Sequence, residues 1–332
     1  MSEQSRLVDG YRAALFDLDG VVYLGPAAVP GASEGIQALK QGGTQVGYVT
    51  NNAARPPQVV VDHLTSLQVP AELPDVVTSA QAGARMLTEH LAPGSKVLVV
   101  GTEALAAEVS AVGMEPVASS DDEPAAVIQG YDPAMTWPRL DDACFAVQRG
   151  AQWFATNTDS TRPTDKGLVP GAGSQIAAVQ ATVKVTPLVA GKPCTPLLEE
   201  TMRRMGTKEA IFVGDRLDTD VMGAVAVGMD SLFVFTGAHG KHDLVAAGED
   251  RRPTTIGHDL RALLAPARVA SVHDGSAECR GHTARVVDGA VRLDEVPDDR
   301  EGQLDALWAL TQLAWADPDL DCSEVDRLDL VP

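Results

Sequence analysis

Short apolar runs alternate along most of the chain with longer stretches in which apolar residues recur at helical spacing. The runs at 11–16, 44–49 and 97–100 are too short for typical helices, and each is followed by Asp, Thr or Gly. Such runs are typical of strands buried in a parallel sheet. The stretches 31–41 and 103–112 predict helices between or after these strands. This order of elements indicates an α/β protein.

The same alternation continues to about residue 186, with strands predicted at 126–129 and 152–155 and a helix at 139–149. Further strands are predicted at 187–190, 210–213, 231–235 and 254–256. The simplest organisation is a doubly wound α/β core formed by residues 8–80 and 187–262. An inserted α/β domain at 81–186 would interrupt this core.

The pattern changes in kind over residues 265–332, where acidic residues outnumber basic ones. Strands are predicted at 269–273, 283–287 and 290–293, the last two joined by a hairpin turn at Asp288-Gly289. A following helix is predicted to be amphipathic, with an apolar face of Leu304, Leu307, Trp308, Thr311, Ala314 and Trp315. This small α+β extension is expected to dock that face on the core or on a partner subunit.

Composition excludes several classes of partner. The 332 residues are 45% hydrophobic and carry a formal net charge of -20, whereas nucleic acids and anionic membrane surfaces are bound by basic faces. No apolar run is long enough to span a bilayer, and residues 1–10 lack the apolar region of a signal peptide, so a cytoplasmic location is expected. The four cysteines form no Cys-x-x-Cys pair, which indicates reduced packing residues.

Two carboxylates, Asp17 and Asp19, follow the first predicted strand, and Gly20 closes the turn. In open α/β sheets, ligands bind beyond the carboxyl ends of the strands, so these side chains are expected to face a site. One carboxylate can attack phosphorus to form an aspartyl phosphate, while the other carries the proton of the leaving group. Asp and Gly are also ordinary turn residues, so a simple turn remains open at this point.

Two further strand ends carry groups suited to phosphate. Thr50, Asn51 and Asn52 follow the second strand and offer hydrogen bonds to phosphate oxygens, although a capped helix start explains them equally well. Lys192 follows the strand predicted at 187–190, where its charge could neutralise a phosphoryl group. A solvated loop lysine is the alternative.

Asp215 and Asp220 follow the strand predicted at 210–213 and add oxygen ligands of the kind that Mg²⁺ prefers. An Asp-rich turn is the alternative. Four carboxylates in one crevice would repel one another strongly without a cation, so a shared site with Asp17 and Asp19 implies a metal ion.

Together these motifs resemble those of the haloacid dehalogenase (HAD) superfamily phosphatases, in the same order along the chain. The matching segments are Asp17-Leu18-Asp19-Gly20, Val49-Thr50-Asn51-Asn52, Gly191-Lys192-Pro193 and Gly214-Asp215-Arg216-Leu217-Asp218-Thr219-Asp220. The insertion resembles the type IIA cap of the NagD and phosphoglycolate phosphatase group. The fold implied is a doubly wound, Rossmann-like HAD core with an inserted α/β cap of type IIA and the α+β extension, which resembles part of an acetyltransferase fold.

The resemblance implies a role for each motif residue. Asp17 would be the nucleophile and Asp19 the general acid and base, while Thr50 and Lys192 hold the transferring phosphoryl group. The residues implied to bind Mg²⁺ are Asp17, Asp19 through its carbonyl oxygen and Asp215, with Asp220 supporting the water ligands of the metal. The implied substrate-binding residues are Asn51 and Asn52 beside the core, and Asn157 and Asp159 in the cap.

The expected reaction is Mg²⁺-dependent hydrolysis of a small phosphomonoester. Glycerol 3-phosphate is the first candidate, because a closed cap can enclose it while Asn157 and Asp159 bind its hydroxyls, and because the acidic extension resembles that of glycerol-phosphate phosphatases within this group. Phosphoglycolate, nucleoside monophosphates and pyridoxal phosphate remain open. Homo-oligomerisation through the cap or the extension is compatible with the sequence.

Two other classes of function have weaker support. Gly31-Ala32-Ser33-Glu34-Gly35 fits the nucleophile elbow of a serine hydrolase, but Pro30 precedes it directly and only one predicted strand lies upstream, so a helix start is the simpler interpretation. The extension suggests an acetyltransferase or a non-catalytic binding protein. It lacks the glycine-rich run that an acyl-CoA pyrophosphate requires at a helix start.

Overall fold

The computed structural model describes residues 5–164 and 166–330 and has the α/β fold expected from the sequence. Its strands are β1 (Ala13–Phe16), β2 (Tyr23–Leu24), β3 (Ala27–Ala28), β4 (Gln45–Thr50), β5 (Val76–Thr78), β6 (Lys96–Val100), β7 (Glu115–Val117), β8 (Ala126–Gln129), β9 (Gln152–Ala155), β10 (Thr161–Thr164), β11 (Gly167–Pro170), β12 (Leu188–Val189), β13 (Ala210–Gly214), β14 (Asp230–Val234), β15 (Thr255–Gly257), β16 (Ala270–His273), β17 (Ser276–Cys279), β18 (His282–Val287) and β19 (Ala290–Leu293).

Helices cover much of the remaining chain. The α-helices are α1 (Ala32–Gln41), α2 (Pro57–Ser66), α3 (Ser79–His90), α4 (Glu103–Ala111), α5 (Trp137–Gln148), α6 (Ala172–Gln180), α7 (Pro196–Met205), α8 (Met222–Ala226), α9 (Lys241–Val245) and α10 (Arg300–Ala316). A π-helical turn at Leu217–Val221 precedes α8. None of these helices, within the part of the chain that the structure describes, combines the length and the apolar character needed to cross a bilayer.

Contacts divide the chain into two compact units. The first unit consists of Met1–Val46 and Thr207–Pro332, and the second is the continuous segment Gly47–Gly206. The second unit contains the five-stranded parallel sheet β12-β9-β8-β6-β7. The cap predicted at 81–186 lies within the second unit, and its boundaries stay a prediction.

The first unit is built on the parallel strands β15, β14, β13 and β1, in that order. All residues of β1 and β13 are buried. Burial on both sides explains why these strands are continuous apolar runs in the sequence. The register pairs Phe16 with Val213, so β1 and β13 end side by side.

The extension is also part of the first unit. Its strands β16 to β19 form an antiparallel meander, and α10 packs against it. The predicted hairpin at Asp288-Gly289 is confirmed, since both residues have positive φ angles of 49° and 76° and connect β18 to β19. Such angles at both central residues are typical of tight hairpin turns.

The prediction of an amphipathic α10 is wrong, because nearly every residue from Gly302 to Ala314 is buried. The meander covers one side of the helix, while α9 and β15 contact it from the core. Leu307 and Trp308 share one hydrophobic cluster with Phe233 of β14. The predicted docking of the extension on the core is therefore confirmed, and the helix has little face left for solvent.

A buried ion pair accompanies this packing. Arg268 Nε lies 2.8 Å from Asp305 Oδ1, and Arg268 Nη1 donates to Ile256 O at 3.0 Å. Burial raises the pKa of Asp305 despite the opposing charge of Arg268. Arg268 thus provides the opposite charge for the buried carboxyl group of Asp305 in α10. Loss of either partner would leave the charge of the other buried and uncompensated.

Replacing Leu307 by alanine is expected to lower the free energy of unfolding by about 2–5 kcal/mol, because it removes a fully buried side chain from the shared cluster. Urea unfolding followed by circular dichroism measures this loss. Val287→Ala, in the same extension but 49% exposed, is the control and should change the free energy by less than about 0.5 kcal/mol. Equal effects of the two substitutions would contradict the packing described.

Candidate active site

Two aspartates follow the neighbouring strands β1 and β13 of the first unit. Asp17 N donates to Val213 O at 2.9 Å, which continues the ladder one residue beyond β1 and places Asp17 at its carboxyl end. Asp215 occupies the corresponding position after β13. Asp17 is half-buried and Asp215 is buried. Ligand crevices of open α/β sheets lie at such strand ends.

Asp220 completes a group of three carboxylates. It lies in the π-helical turn after Asp215, and its Oδ2 accepts a hydrogen bond from Arg216 N at 3.1 Å. One ligand oxygen from each of Asp17, Asp215 and Asp220 lies within 4.8 Å of the others. Three anionic oxygens this close favour a divalent cation with a preference for oxygen ligands, and this donor set fits Mg²⁺.

The loop after β14 supports Asp215 and was not identified from the sequence. Ala238 N donates to Asp215 Oδ2 at 2.7 Å, and Thr236 Oγ1 donates to Gly20 O at 2.6 Å. A Cβ atom at Gly237 would lie 1.9 Å from Asp215 Oδ2, so only glycine permits this close approach. Its place at the carboxyl end of another parallel strand is the signal that could have identified it.

Beside this group lies a second set of polar residues with a different role. Arg216 Nη2 lies 2.9 Å from Asp218 Oδ2, and Leu217 N donates to His239 Nδ1 at 3.0 Å. Burial opposes ionisation of Asp218, but hydrogen bonds and charge from Arg216 outweigh it and hold the pKa of Asp218 below its usual value. These contacts fix the shape of the π-helical turn, and Asp218 does not belong to the three-carboxylate group.

Asp19 lies on the exposed turn that follows Asp17. Gly20 N donates to Tyr23 O at 2.8 Å and closes this turn. The side chain of Asp19 is not among the three clustered carboxylates of the described residues. Metal binding through its main-chain carbonyl oxygen and its role as proton carrier stay predictions.

The remaining predicted residues lie in the second unit. Thr50 ends β4, opposite Thr78 of β5, and its Oγ1 accepts a hydrogen bond from Asn52 N at 3.1 Å. Asn52 is exposed, and its Oδ1 accepts from Ala54 N at 2.8 Å. Thr50 is buried, and the two residues together define a tight turn after the strand.

Asn51 joins this turn to two other loops. Its Nδ2 donates to Lys192 O at 3.0 Å and lies 3.3 Å from Asp159 Oδ2, while its main-chain oxygen accepts from Asn157 Nδ2 at 2.7 Å. Lys192 is only 2% exposed and is followed by a cis Lys192-Pro193 bond. Asn51, Asn157, Asp159 and Lys192, predicted separately, thus form one cluster in this unit.

Ser33 does not form a nucleophile elbow. It lies in the first turn of α1, where its Oγ accepts a hydrogen bond from Gln37 Nε2 at 3.0 Å. The strand directly before it is the two-residue β3, which pairs antiparallel with β2. The prediction of a helix start at this glycine-rich segment is confirmed.

None of the four cysteines, all of which lie in the described part of the chain, forms a disulfide bond in the structure. Cys144 and Cys279 are buried, Cys322 is partly buried and Cys194 is exposed. Burial, with the nearby Asp305 carboxylate, raises the pKa of Cys279 to about 12. A thiol with this pKa is inert at neutral pH, which agrees with a packing role.

Comparisons with known proteins agree with this geometry. A family model described as haloacid dehalogenase-like hydrolase matches residues 14–115, and a HAD-hydrolase-like model matches residues 189–263. Asp17, Asp19 and residues 50–52 fall within the first match and Lys192, Asp215 and Asp220 within the second, whereas Asn157 and Asp159 lie between the two matches.

Individual relatives extend the match. The chain is 47% identical over 258 residues to D-glycerol 3-phosphate phosphatase of Mycobacterium tuberculosis, covering 78% of this chain and 72% of that protein. It is 34% identical over 229 residues to a 5′-nucleotidase of Bacillus subtilis, covering 68% and 88%. The crystal structure of the M. tuberculosis glycerol phosphate phosphatase with magnesium superposes with a TM-score of 0.84, at 41% identity over 92% of each chain. The chain belongs to the haloacid dehalogenase-like hydrolases.

Proposed function

We propose that this protein is a Mg²⁺-dependent phosphomonoesterase that hydrolyses glycerol 3-phosphate through an aspartyl phosphate. The convergence of Asp17, Asp215 and Asp220 at the ends of adjacent parallel strands carries the proposal, because it joins a half-buried nucleophile to a cation site. The similarity to a glycerol 3-phosphate phosphatase supports the choice of substrate.

Each half of the reaction uses the two aspartates of the first motif. A carboxylate oxygen of Asp17 attacks phosphorus, the bond to the substrate oxygen breaks, and Asp19 protonates the departing oxygen. Asp19 then takes a proton from water, which attacks the aspartyl phosphate, releases inorganic phosphate and restores Asp17.

The metal would be held by the carboxylates of Asp17 and Asp215, with Asp220 supporting its water ligands and Asp19 contributing its carbonyl oxygen. When bound, Mg²⁺ supplies charge that offsets the repulsion between the substrate phosphate and these carboxylates. The magnesium complex of the similar M. tuberculosis enzyme supports this choice of ion.

Thr50 and Lys192 are assigned to the phosphoryl oxygens. The ammonium group of Lys192 can offset the negative charge of the phosphoryl oxygens during the transfer. The hydroxyl of Thr50 adds a hydrogen bond of fixed direction. Both residues are buried in the structure.

The leaving group is assigned to Asn52 and to the loop that carries Asn157 and Asp159. These residues offer two amides and a carboxylate, which suit hydroxyl groups. Asp159 would repel an anionic leaving group such as the carboxylate of phosphoglycolate. The leaving group of glycerol 3-phosphate is uncharged and carries hydroxyl groups, so Asp159 would not repel it.

A nucleoside monophosphate is the second candidate, because one relative is a 5′-nucleotidase. Phosphate release from glycerol 3-phosphate, phosphoglycolate, pyridoxal phosphate and several nucleoside monophosphates separates the candidates. We expect kcat/KM for glycerol 3-phosphate to exceed the others by about 10-fold or more. A far better nucleoside monophosphate would replace the proposed substrate while leaving the reaction type intact.

Asp19→Asn is expected to slow glycerol 3-phosphate hydrolysis by roughly 10²–10⁴-fold, because an alkoxide leaving group needs a proton. The first step with p-nitrophenyl phosphate should be slowed much less, since nitrophenolate leaves without protonation. Single-turnover rates for the two substrates make the comparison. Equal losses in this step would contradict the role of Asp19 as general acid.

Homo-oligomerisation through the cap or the extension stays a prediction, which size-exclusion chromatography with light scattering would test.

A further inference from the structure

Asn51 is held by protein contacts on every polar atom of its side chain, which suits a residue that orients its neighbours better than one that binds substrate. We propose that Asn51 is a positioning residue that fixes the main chain at Lys192 and joins it to the loop carrying Asn157 and Asp159. The inference rests on the proposed function of Lys192 as the group that holds the phosphoryl oxygens.

The amide of Asn51 bonds both sides of the same residue. Its Oδ1 accepts from Lys192 N at 2.8 Å, and its Nδ2 donates to Lys192 O at 3.0 Å. A pair of bonds to the N–H and C=O of one residue restricts rotation about both of its backbone dihedrals. The direction in which the Lys192 side chain leaves the main chain is thereby fixed.

Asn51 is itself anchored. Its main-chain oxygen accepts from Ser79 Oγ at 2.6 Å and from Asn157 Nδ2 at 2.7 Å. A Cβ atom at Gly191 would lie 2.7 Å from Asn51 Oδ1, so the Lys192 loop can approach the amide this closely only because it has glycine there. The chain at Asn51 is therefore a fixed support for the Lys192 loop.

The same amide reaches the loop assigned to the leaving group. Asn51 Nδ2 lies 3.4 Å from Asp159 Oδ1 and 3.3 Å from Oδ2. The N–H of Asp159 in turn donates to Asn157 Oδ1 at 3.1 Å. Asn51 thus connects Lys192, assigned to the phosphoryl group, with Asn157 and Asp159, assigned to the leaving group. It can therefore hold these residues at fixed positions relative to one another.

The two roles for Asn51 differ in their kinetic signatures. A residue that contacts the glycerol moiety would matter for glycerol 3-phosphate and hardly for p-nitrophenyl phosphate. A residue that positions Lys192 would matter for both substrates, because both present the same phosphoryl group. Its removal would also weaken competitive inhibition by inorganic phosphate, which has no leaving group at all.

We expect Asn51→Ala to lower kcat/KM by about 10²-fold for both substrates, the scale of a misplaced catalytic group, and to raise the inhibition constant of phosphate. If the alanine variant does not fold, Asn51→Asp provides the same test because it has the same shape. It retains an acceptor for Lys192 N but loses the donor to Lys192 O, so it should also lower kcat/KM for both substrates. Gln58→Ala, which removes an exposed amide bonded to Asp62 in the same unit, is the matched control and should change none of these values.

Hydrogen exchange of the Lys192 amide, measured by mass spectrometry, tests the contact without any activity. Exchange should accelerate in Asn51→Ala and stay unchanged in Gln58→Ala. A loss confined to glycerol 3-phosphate, or unchanged exchange at Lys192, would overturn the positioning role. If the unmodified protein released no phosphate from any substrate, the proposed function would fail, while accelerated exchange would still show that Asn51 holds Lys192.

Discussion

Asp17→Asn is expected to reduce phosphate release from every substrate by on the order of 10⁴-fold or more, because an amide cannot form the covalent intermediate. Asparagine has nearly the shape of aspartate and keeps the main-chain bond from residue 17 to Val213 O. The fold should therefore survive, and the loss should appear in kcat with an unchanged melting temperature in the presence of Mg²⁺, within a few degrees.

Ser33→Ala is the control for this experiment. Ser33 lies in the first turn of α1, where its Oγ accepts a hydrogen bond from Gln37, so its removal should leave phosphate release near normal. Near-normal activity of Asp17→Asn would contradict the aspartyl-phosphate reaction. A large loss in Ser33→Ala would revive a serine nucleophile.

The second large effect is expected from Asp215→Asn, which removes one of three carboxylates that lie within 4.8 Å of one another. The Mg²⁺ concentration needed for half-maximal activity should rise by about 100-fold or more, since a ligand is lost directly, whereas supporting residues alone account for roughly 10–100-fold in metal sites. Magnesium titrations of phosphate release measure this shift.

Stability of the metal-free protein gives an independent signature of the same change. Repulsion among the three carboxylates destabilises the protein when Mg²⁺ is chelated, so Asp215→Asn should raise the melting temperature in EDTA and reduce the further rise on adding Mg²⁺. Asp218→Asn, two residues before Asp220 but paired with Arg216, should leave the Mg²⁺ requirement unchanged. The same shift in both variants would contradict the assignment of the metal ligands.

The strands that carry the first-unit site could be predicted because burial dictates their composition. β1 and β13 are buried along their whole length, so they read as continuous apolar runs, and the aspartates directly after them mark their ends. Asp220 could be proposed from its oxygen ligand chemistry. The loop at Thr236 to Ala238 was missed although it follows a predicted strand, because the main-chain N–H group that bonds Asp215 is common to nearly all residue types.

Some of the strands that the sequence did not predict have little or no buried face. The hairpin of β10 and β11 is largely exposed, so its sequence shows no alternation of apolar and polar residues. The short strand β17 has the sequence Ser-Ala-Glu-Cys, in which only two positions are buried. Tertiary contacts, which a local pattern does not contain, decide these elements.

The error at α10 has a different origin. The helical spacing of its apolar residues predicts one buried face, but Gln303 and Asp305, which lie outside that set of residues, are buried as well. Asp305 is accommodated by Arg268, which is 37 residues away in the sequence. A buried polar residue with a distant partner has the same local sequence pattern as an exposed one, so only the structure distinguishes them.

Chemical trapping of the intermediate tests the central claim most directly. Protein mixed with glycerol 3-phosphate and Mg²⁺, quenched during turnover and reduced with borohydride, should contain homoserine at residue 17, because borohydride reduces an acyl phosphate but not a free carboxylate. Peptide mass spectrometry should find this change at Asp17 alone, and only when substrate and Mg²⁺ are both present. Robust phosphate release with no reduction at Asp17, or with the modification at another residue, would contradict an aspartyl phosphate formed by this strand-end carboxylate.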